Sequence, residues 1–215
     1  TAPMPELPEV QTTVDGINTF TKGLTITDVW SGYDSPYYAG KEQIKNRAYF
    51  ATFRKTIIGA KITKAHRRAK NVLIELSNGY TILIHMKMTG HLLFGSYKKG
   101  KKKNTQGKLE EYWYAADEDS ALADPFNGFI RLVFSLSPQQ KGRVKLTEKH
   151  LAFSDMRKFA KVTLLETKKL NHSPDLSHIG PEPLDGTFTA SMFRAQLLKK
   201  PNGKIKSVLL DQTII

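Results

Sequence analysis

Cysteine is missing from this 215-residue chain, which excludes disulfides and any cysteine-ligated metal centre built from these residues. Six histidines, at positions 66, 85, 91, 150, 172 and 178, are scattered without metal-ligand spacing, so no metal site is expected here. No apolar run approaches the roughly 18 to 20 residues of a membrane span, and the acidic, proline-rich opening is unlike a secretory signal. A cytoplasmic, nucleoid-associated protein without a membrane partner is the expectation. Negative charge is also scarce: 20 Asp and Glu face 33 Lys and Arg, giving a net charge of +13. That imbalance favours nucleic acid as partner, through phosphate neutralisation and counterion release, over a merely basic soluble protein or one that touches an anionic membrane.

What is present begins with a specific opening. Met4-Pro5-Glu6-Leu7-Pro8-Glu9-Val10 packs two prolines and two carboxylates ahead of Val10, Val14 and Ile17, which recur on one helix face. Pro8 and Glu9 suit a first turn, so a helix is predicted that ends near Phe20. By themselves Pro5 and Glu6 are a helix start. A proline nitrogen at a free terminus, however, is a secondary amine, and an α-amino group titrates at about 7.7 to 8.0. It is then nucleophilic near neutral pH without a separate base.

Beyond the helix the pattern turns to strands. Short β-rich segments are predicted at 26–30, 111–114, 129–136, 143–146, 150–153 and 161–165, with a loop around Pro36 and a bend at Gly59. The clearest element is the hairpin 72–76 and 80–84 around Asn78-Gly79, nearly all apolar and therefore central in a sheet. Lys98, Lys99, Lys101, Lys102, Lys103 and Lys108 surround two glycines and read as a mobile basic loop, either a solvated insertion or a DNA contact. Many short strands after one helix describe an α+β fold with an antiparallel β-sandwich. The domain expectation is a catalytic domain over 1–170, a Pro, Asp, Ser and Gly-rich linker over 171–186, and a helical portion over 187–215. There Thr189 caps a helix with Phe193 and Leu197 on one face. Pro201-Asn202-Gly203 is a turn, and a second helix starts at Ile205. The apolar Ile214-Ile215 end, in mid-pattern, suggests that a C-terminal portion follows.

Five motifs in order make the chain resemble the formamidopyrimidine-DNA glycosylase (Fpg/Nei) family. They are the opening run, Arg67-Arg68-Ala69-Lys70-Asn71-Val72-Leu73, His85-Met86-Lys87-Met88-Thr89-Gly90, Asp155-Met156-Arg157-Lys158-Phe159, and Ile179 to Leu184 with Ile205 to Gln212. The resemblance implies a bifunctional base-excision repair enzyme acting as a monomer on double-stranded damaged DNA. It implies Pro5 as nucleophile, Glu6 as proton donor, and Lys70 as the lysine that orients the damaged nucleotide and assists proton transfer. Glu6 would need a raised pKa, which burial beside Glu9 would provide. Met88, Arg157 and Phe159 match the residues that fill the gap left by a flipped base. Taken alone, Lys70 is a strand-end lysine, Met88 and Phe159 are core packing, and Arg157 is a surface ion-pair partner. The tail resembles the first half of a helix–two-turns–helix module, with Lys206, and more weakly Lys200, at phosphate-contacting positions.

The sequence also departs from that family. Its Gly-x-Gly-Asn-Ile-Tyr segment and four-cysteine zinc finger are absent, so zinc is expected only in a C-terminal finger outside these residues. Lys87 and Ala160 stand where glycine is usual, and Asn127-Gly128-Phe129-Ile130 lacks a phosphate-binding histidine. Leu7 and Val10-Gln11-Thr12 favour the branch acting on oxidised purines. A Nei-like enzyme for oxidised pyrimidines and a lesion-binding protein without chemistry are the rivals. Thr1 to Met4 precede Pro5, so the amine chemistry expects initiation at Met4 and methionine removal.

Overall fold

A computed structural model gives the fold and describes residues 5–103, 107–137, 140–141, 144–145 and 148–215. It opens with α1 (Leu7–Thr21), whose buried face carries Val10, Val14, Ile17 and Thr21. The chain then forms β1 (Ile26–Ser31), a 3-10 turn at Pro36–Tyr38, and α2 (Arg47–Ile57). Helix α2 is not among the predicted elements. Its signals are the Asn46 cap, which accepts from the Ala48 N–H, and the buried pair Phe53 and Ile57 one turn apart.

Two four-stranded antiparallel sheets follow. One has β2 (Ile62–Arg68), β3 (Asn71–Leu76), β4 (Tyr80–His85) and β12 (Lys161–Glu166), in the order β12-β4-β3-β2. The other joins β1, β8 (Ile130–Leu136), β11 (Lys149–Ser154) and β5 (His91–Gly95), in the order β1-β8-β11-β5. As the sequence predicts, β3 and β4 are interior strands. Their turn is a three-residue connection in which Gly79 takes φ +83° and its N–H reaches the Leu76 carbonyl. One apolar core holds the inner faces of both sheets, with Val72, Ile74, Ile82 and Ile84 from one and Leu132, Phe134, Leu151 and Phe153 from the other. Helix α1 supplies Val10, Val14 and Ile17 to the same core, and α2 supplies Phe53 and Ile57. This is the α+β sandwich that the strand pattern implies.

The lysine-rich stretch is not a loop. Residues Tyr97–Lys103 (β6) and Leu109–Ala115 (β7) pair along their whole length as an antiparallel hairpin, from Tyr97 opposite Ala115 to Lys103 opposite Leu109. Alternation of Lys with Gly100 on one strand against Tyr112, Trp113 and Tyr114 on the other supplies the β-formers that the lysines lack. The short strands β9 (Gln140–Lys141) and β10 (Val144–Lys145) pair with each other, whereas Arg143 and Leu146 of the predicted strand lie outside the described residues.

The chain divides after Thr167 into two compact units. The second, Lys168–Ile215, holds α3 (Ala190–Leu197) and α4 (Ile205–Leu209). Thr189 caps α3 as expected, its Oγ1 accepting from the Met192 N–H at 3.2 Å. Residues 171–186 fall within this unit, where the Gly180 N–H donates to the Gln212 carbonyl at 2.9 Å.

Candidate active site

Glu6 lies at the N-cap of α1, and its backbone N–H donates to Glu9 Oε2 at 3.0 Å. The Glu9 carboxylate is thereby spent on the helix start. Glu6 is not buried beside it: its side chain is 40% exposed and meets Lys70 Nζ at 2.5 Å, while Lys70 itself is buried. Glu6 thus has an ammonium partner in place of the desolvation that the sequence reading assigns to it. Pro5 directly precedes Glu6, so the contact lies one residue from its nitrogen.

Lys70 is held by an unusual turn. Ala69 and Lys70 join β2 to β3 between the paired residues Arg68 and Asn71, and Ala69 takes φ +48°. Arg67 ties this turn to α1. Arg67 donates through Nε to Gln11 Oε1 at 3.2 Å and through Nη1 to the Ala69 carbonyl at 3.1 Å. Further along, the Asn18 amide mimics a strand. It donates to the Ala65 carbonyl at 2.8 Å and accepts from the Ala65 N–H at 2.7 Å, fixing the helix on the edge strand β2.

The expected gap-filling residues come together on two loops. Met88 follows β4, Arg157 and Phe159 follow β11, and all three are exposed. Arg157 Nη1 lies 3.1 Å from Met88 Sδ, and its guanidinium sits 4.7 Å from the Phe159 ring centroid. Asn71 pairs with His85, and His85 with Lys161, so the Lys70 turn and both loops share one end of the sheet.

Asp155, the first residue of the Asp155–Phe159 motif, is the hub beneath these loops. It is fully buried, and its carboxylate accepts from the Tyr33 hydroxyl at 2.7 Å, the Thr89 hydroxyl at 2.9 Å and the Ala160 N–H at 3.0 Å. Thr89 Oγ1 also accepts from the Arg157 N–H at 3.2 Å, so one hydroxyl bridges the two loops. Burial, and then the Asp155 charge, push the Tyr33 phenol far above its ordinary range. Nearby Lys45, also buried, stacks over Tyr38 at 4.9 Å, and its pKa is lowered by desolvation against the pull of Asp155. Only the Asp of the motif was visible in sequence, because Tyr33 and Lys45 lie more than a hundred positions away.

His91 stands beside this hub. Its ring stacks on Phe126 with centroids 4.8 Å apart, and its nitrogens lie 3.1 Å from the Thr89 carbonyl oxygen and 2.8 Å from Asn127 Oδ1. Asn127, which stands where the motif lacks a phosphate-binding histidine, thus contacts His91 of β5. In the second unit Lys206 is exposed on α4, whereas Lys200 forms an ion pair with Asp211. That Lys200 bond, followed by those from Thr213, holds the Asp211 carboxyl down at about 2. Among the described residues no group of three or more His, Asp or Glu side chains is arranged to hold a metal, and without cysteine the residues present do not fit a zinc finger.

A family model described as the formamidopyrimidine-DNA glycosylase N-terminal domain matches residues 4–162, which contain both halves of this site. The chain belongs to the formamidopyrimidine-DNA glycosylase family. A formamidopyrimidine-DNA glycosylase of Desulforamulus reducens is 29% identical over 213 residues, and one of Pelotomaculum thermopropionicum 31% over 212. Each alignment covers 99% of this chain but 61% of the relative, so the chain spans about three fifths of their length. Among solved structures, a Lactococcus lactis Fpg in complex with abasic-site DNA superposes with a TM-score of 0.68 at 21% identity, covering 98% of this chain and 62% of that one. A MutM in complex with DNA containing carbocyclic 8-oxo-G gives 0.65 at 23%, with 98% and 63% covered. These likenesses establish the formamidopyrimidine-DNA glycosylase fold. No helix among the described residues is long and apolar enough to cross a membrane.

Proposed function

We propose that the chain carries the catalytic domain of a base-excision repair DNA glycosylase that removes oxidised purines, such as 8-oxoguanine and formamidopyrimidines, and then nicks the strand. The observation that supports this most is the 2.5 Å contact of Lys70 Nζ with Glu6, beside Pro5. With its nitrogen free of the bond to Met4, Pro5 attacks C1′ of the damaged nucleotide. The N–C1′ bond forms, and the base departs with the electron pair of its glycosidic bond and a proton. Glu6 protonates the ring oxygen, the sugar opens, and an iminium links Pro5 to C1′. The iminium acidifies the C2′ hydrogen. Its loss expels the 3′ phosphate, and a second elimination expels the 5′ phosphate. Lys70, bound to Glu6, returns the carboxyl to the protonated state and positions the nucleotide.

The substrate on this reading is double-stranded damaged DNA, bound by a monomer. Met88, Arg157 and Phe159 fill the gap left by the extruded nucleotide, whose unstacking costs a few kcal/mol. Lys206 contacts phosphate. Zinc enters no step carried by these residues and belongs, on this reading, to a C-terminal finger outside them.

Borohydride trapping on lesion duplexes is the test. Protein beginning at Pro5 should give a covalent adduct, and protein retaining residues 1–4 should give none. Glu6→Gln and Lys70→Ala should each lower turnover by about 10² or more, the scale of a lost acid–base group. Equal trapping with and without the four residues would assign the nucleophile elsewhere. No trapping from either would leave a lesion-binding protein. Faster turnover of thymine glycol than of 8-oxoguanine would replace the purine assignment with a pyrimidine one.

A further inference from the structure

The β6–β7 hairpin plays no part in the chemistry above, yet it is among the most basic stretches of the chain. Between residues 97 and 115 it has six lysines against two glutamates. Its base is anchored: Tyr97 and Trp113 pack with Trp30, Leu93, Leu122, Ile130, Val133 and Ala152. It leaves from the end of β5 opposite Thr89 and Gly90, a strand of five residues or about 17 Å from the site loops.

One face of the hairpin is a platform. Lys98, Gly100 and Lys102 stand opposite Tyr114, Tyr112 and Glu110. The Tyr112 ring lies flat over Gly100, where a Cβ would meet the ring at 2.8 Å. The Tyr112 and Tyr114 rings are 5.6 Å apart, and Lys102 Nζ is 5.1 Å from the Tyr112 centroid. Between the hairpin and the segment 121–128 lies a cavity of about 320 Å³. Tyr97 and Ile130 are its buried floor, and Lys102, Tyr114 and Glu118 its exposed rim. That volume, at the small end of the roughly 300–1,000 Å³ of ligand pockets, suits one flat ring system.

The Tyr97 hydroxyl and the Trp113 indole N–H are buried without a hydrogen-bond partner among the described residues, on the opposite face of the hairpin, which packs on the sheet. Burial pushes the Tyr97 phenol up to about 12. A ligand is therefore met by the exposed face. An apolar ligand would leave Lys98 and Lys102 unused, and an inorganic anion would leave the tyrosine rings unused. A nucleotide, with a ring face to stack and a phosphate to pair, answers both.

We propose that the β6–β7 hairpin and the segment 121–128 form a second nucleic-acid site, which stacks an unpaired base of a DNA strand on Tyr112 and Tyr114 while Lys98 and Lys102 hold its backbone phosphates. Base–aromatic stacking beside a lysine-lined track is how sequence-tolerant single-strand binding is built. Among the described residues Glu118 on the rim is the one acid lining the cavity, where it would accept from an exocyclic amine of the base. The nature of the ligand rests on the DNA reading given above, but the site is separate from Glu6 and Lys70 and needs no turnover.

Anisotropy titration of the whole chain with a short labelled single strand tests the site, with a matched strand of abasic sugars and a lesion duplex run alongside. Tyr114→Ala, at an exposed position, should weaken intact single strand about tenfold, the size of one lost base–aromatic stack. Lys102→Ala should reduce the salt slope by about one. Equal affinity of the wild-type chain for intact and abasic strands, or an unchanged Tyr114→Ala, overturns the proposal. A chain that binds lesion duplex but no single strand defeats this site alone. Binding to neither defeats the DNA reading with it.

Discussion

Ala69, Lys87 and Lys158 are the non-glycine residues with positive φ among the described residues, at 48°, 59° and 56°. Each adjoins a candidate site residue: Ala69 precedes Lys70, Lys87 precedes Met88, and Lys158 separates Arg157 from Phe159. Left-handed backbone at a residue with a Cβ costs on the order of 1 kcal/mol, and such outliers gather where geometry must be held for a task. The Ala69 position has a clear test. Glycine removes the steric cost but adds unfolded-state entropy, so Ala69→Gly should be nearly neutral. Valine is branched where branching is least tolerated, so Ala69→Val should lose roughly 1–3 kcal/mol in urea unfolding and displace Lys70. Asp155 is the other single residue on which the site depends. Asparagine offers one acceptor oxygen where the carboxylate uses two. Asp155→Asn should therefore cost about 2–4 kcal/mol and weaken lesion-duplex binding by loosening both loops at once. A variant with wild-type stability would remove Asp155 from its position as hub.

At the scale of elements, the site depends on how α1 sits on β2. The paired hydrogen bonds of Asn18 with Ala65 extend the sheet by one side chain and fix the helix along its axis. Asn18→Leu leaves the Ala65 N–H and carbonyl without those partners, at about 1–3 kcal/mol. The same substitution should lower turnover, because Glu6 moves with the helix and Lys70 with the strand turn. Unchanged turnover in a measurably destabilised protein would separate docking from catalysis. The β6–β7 hairpin has its own sensitivity, to pH. The Tyr97 N–H donates to His150 Nδ1 at 3.2 Å, which requires that nitrogen to be unprotonated. Burial lowers the His150 pKa below its ordinary 6.5, against the pull of Glu148, and it lowers that of His66 likewise against Glu75. Above about pH 6.5 both folded and unfolded chains carry these histidines neutral, and stability is complete. As pH falls through that value the unfolded chain gains protons that the folded one refuses, so stability declines. Urea midpoints should drop between pH 7.5 and 5.5, with a smaller drop in His150→Gln. A flat profile in the wild-type protein would contradict the burial of both rings.

Across the whole molecule, the net charge of +13 is the basis of the proposed DNA binding. If phosphate contacts dominate, log affinity for duplex DNA should fall linearly with log salt, with a slope near −0.9 for each phosphate neutralised. Salt-independent binding would overturn the electrostatic argument. The helix α1 and the β3–β4 hairpin were legible in sequence because their periodicities, 3.6 and 2, are local properties of the chain. So were the motif residues, since each motif is a short run. Helix α2 was missed because its apolar positions are interleaved with Arg47, Arg54 and Lys55, and its cap Asn46 sits in a polar stretch. The hairpin was misread because a run of lysines has weak strand propensity and its partner strand lies beyond the turn.

The sequence by itself determined the charge, the absence of thiol chemistry, the alternation that makes sheets, and the identity of the residues offered to the site. Tertiary structure alone decided which of them meet. Glu6 faces Lys70 because α1 docks across β2, 64 positions later in the chain. Asp155 joins Tyr33 and Thr89 because two sheets close at one end, and Tyr97 and Trp113 keep unspent donors because a hairpin folds back on a sheet face. Contacts of this kind depend on distance in space. A linear pattern records only distance along the chain.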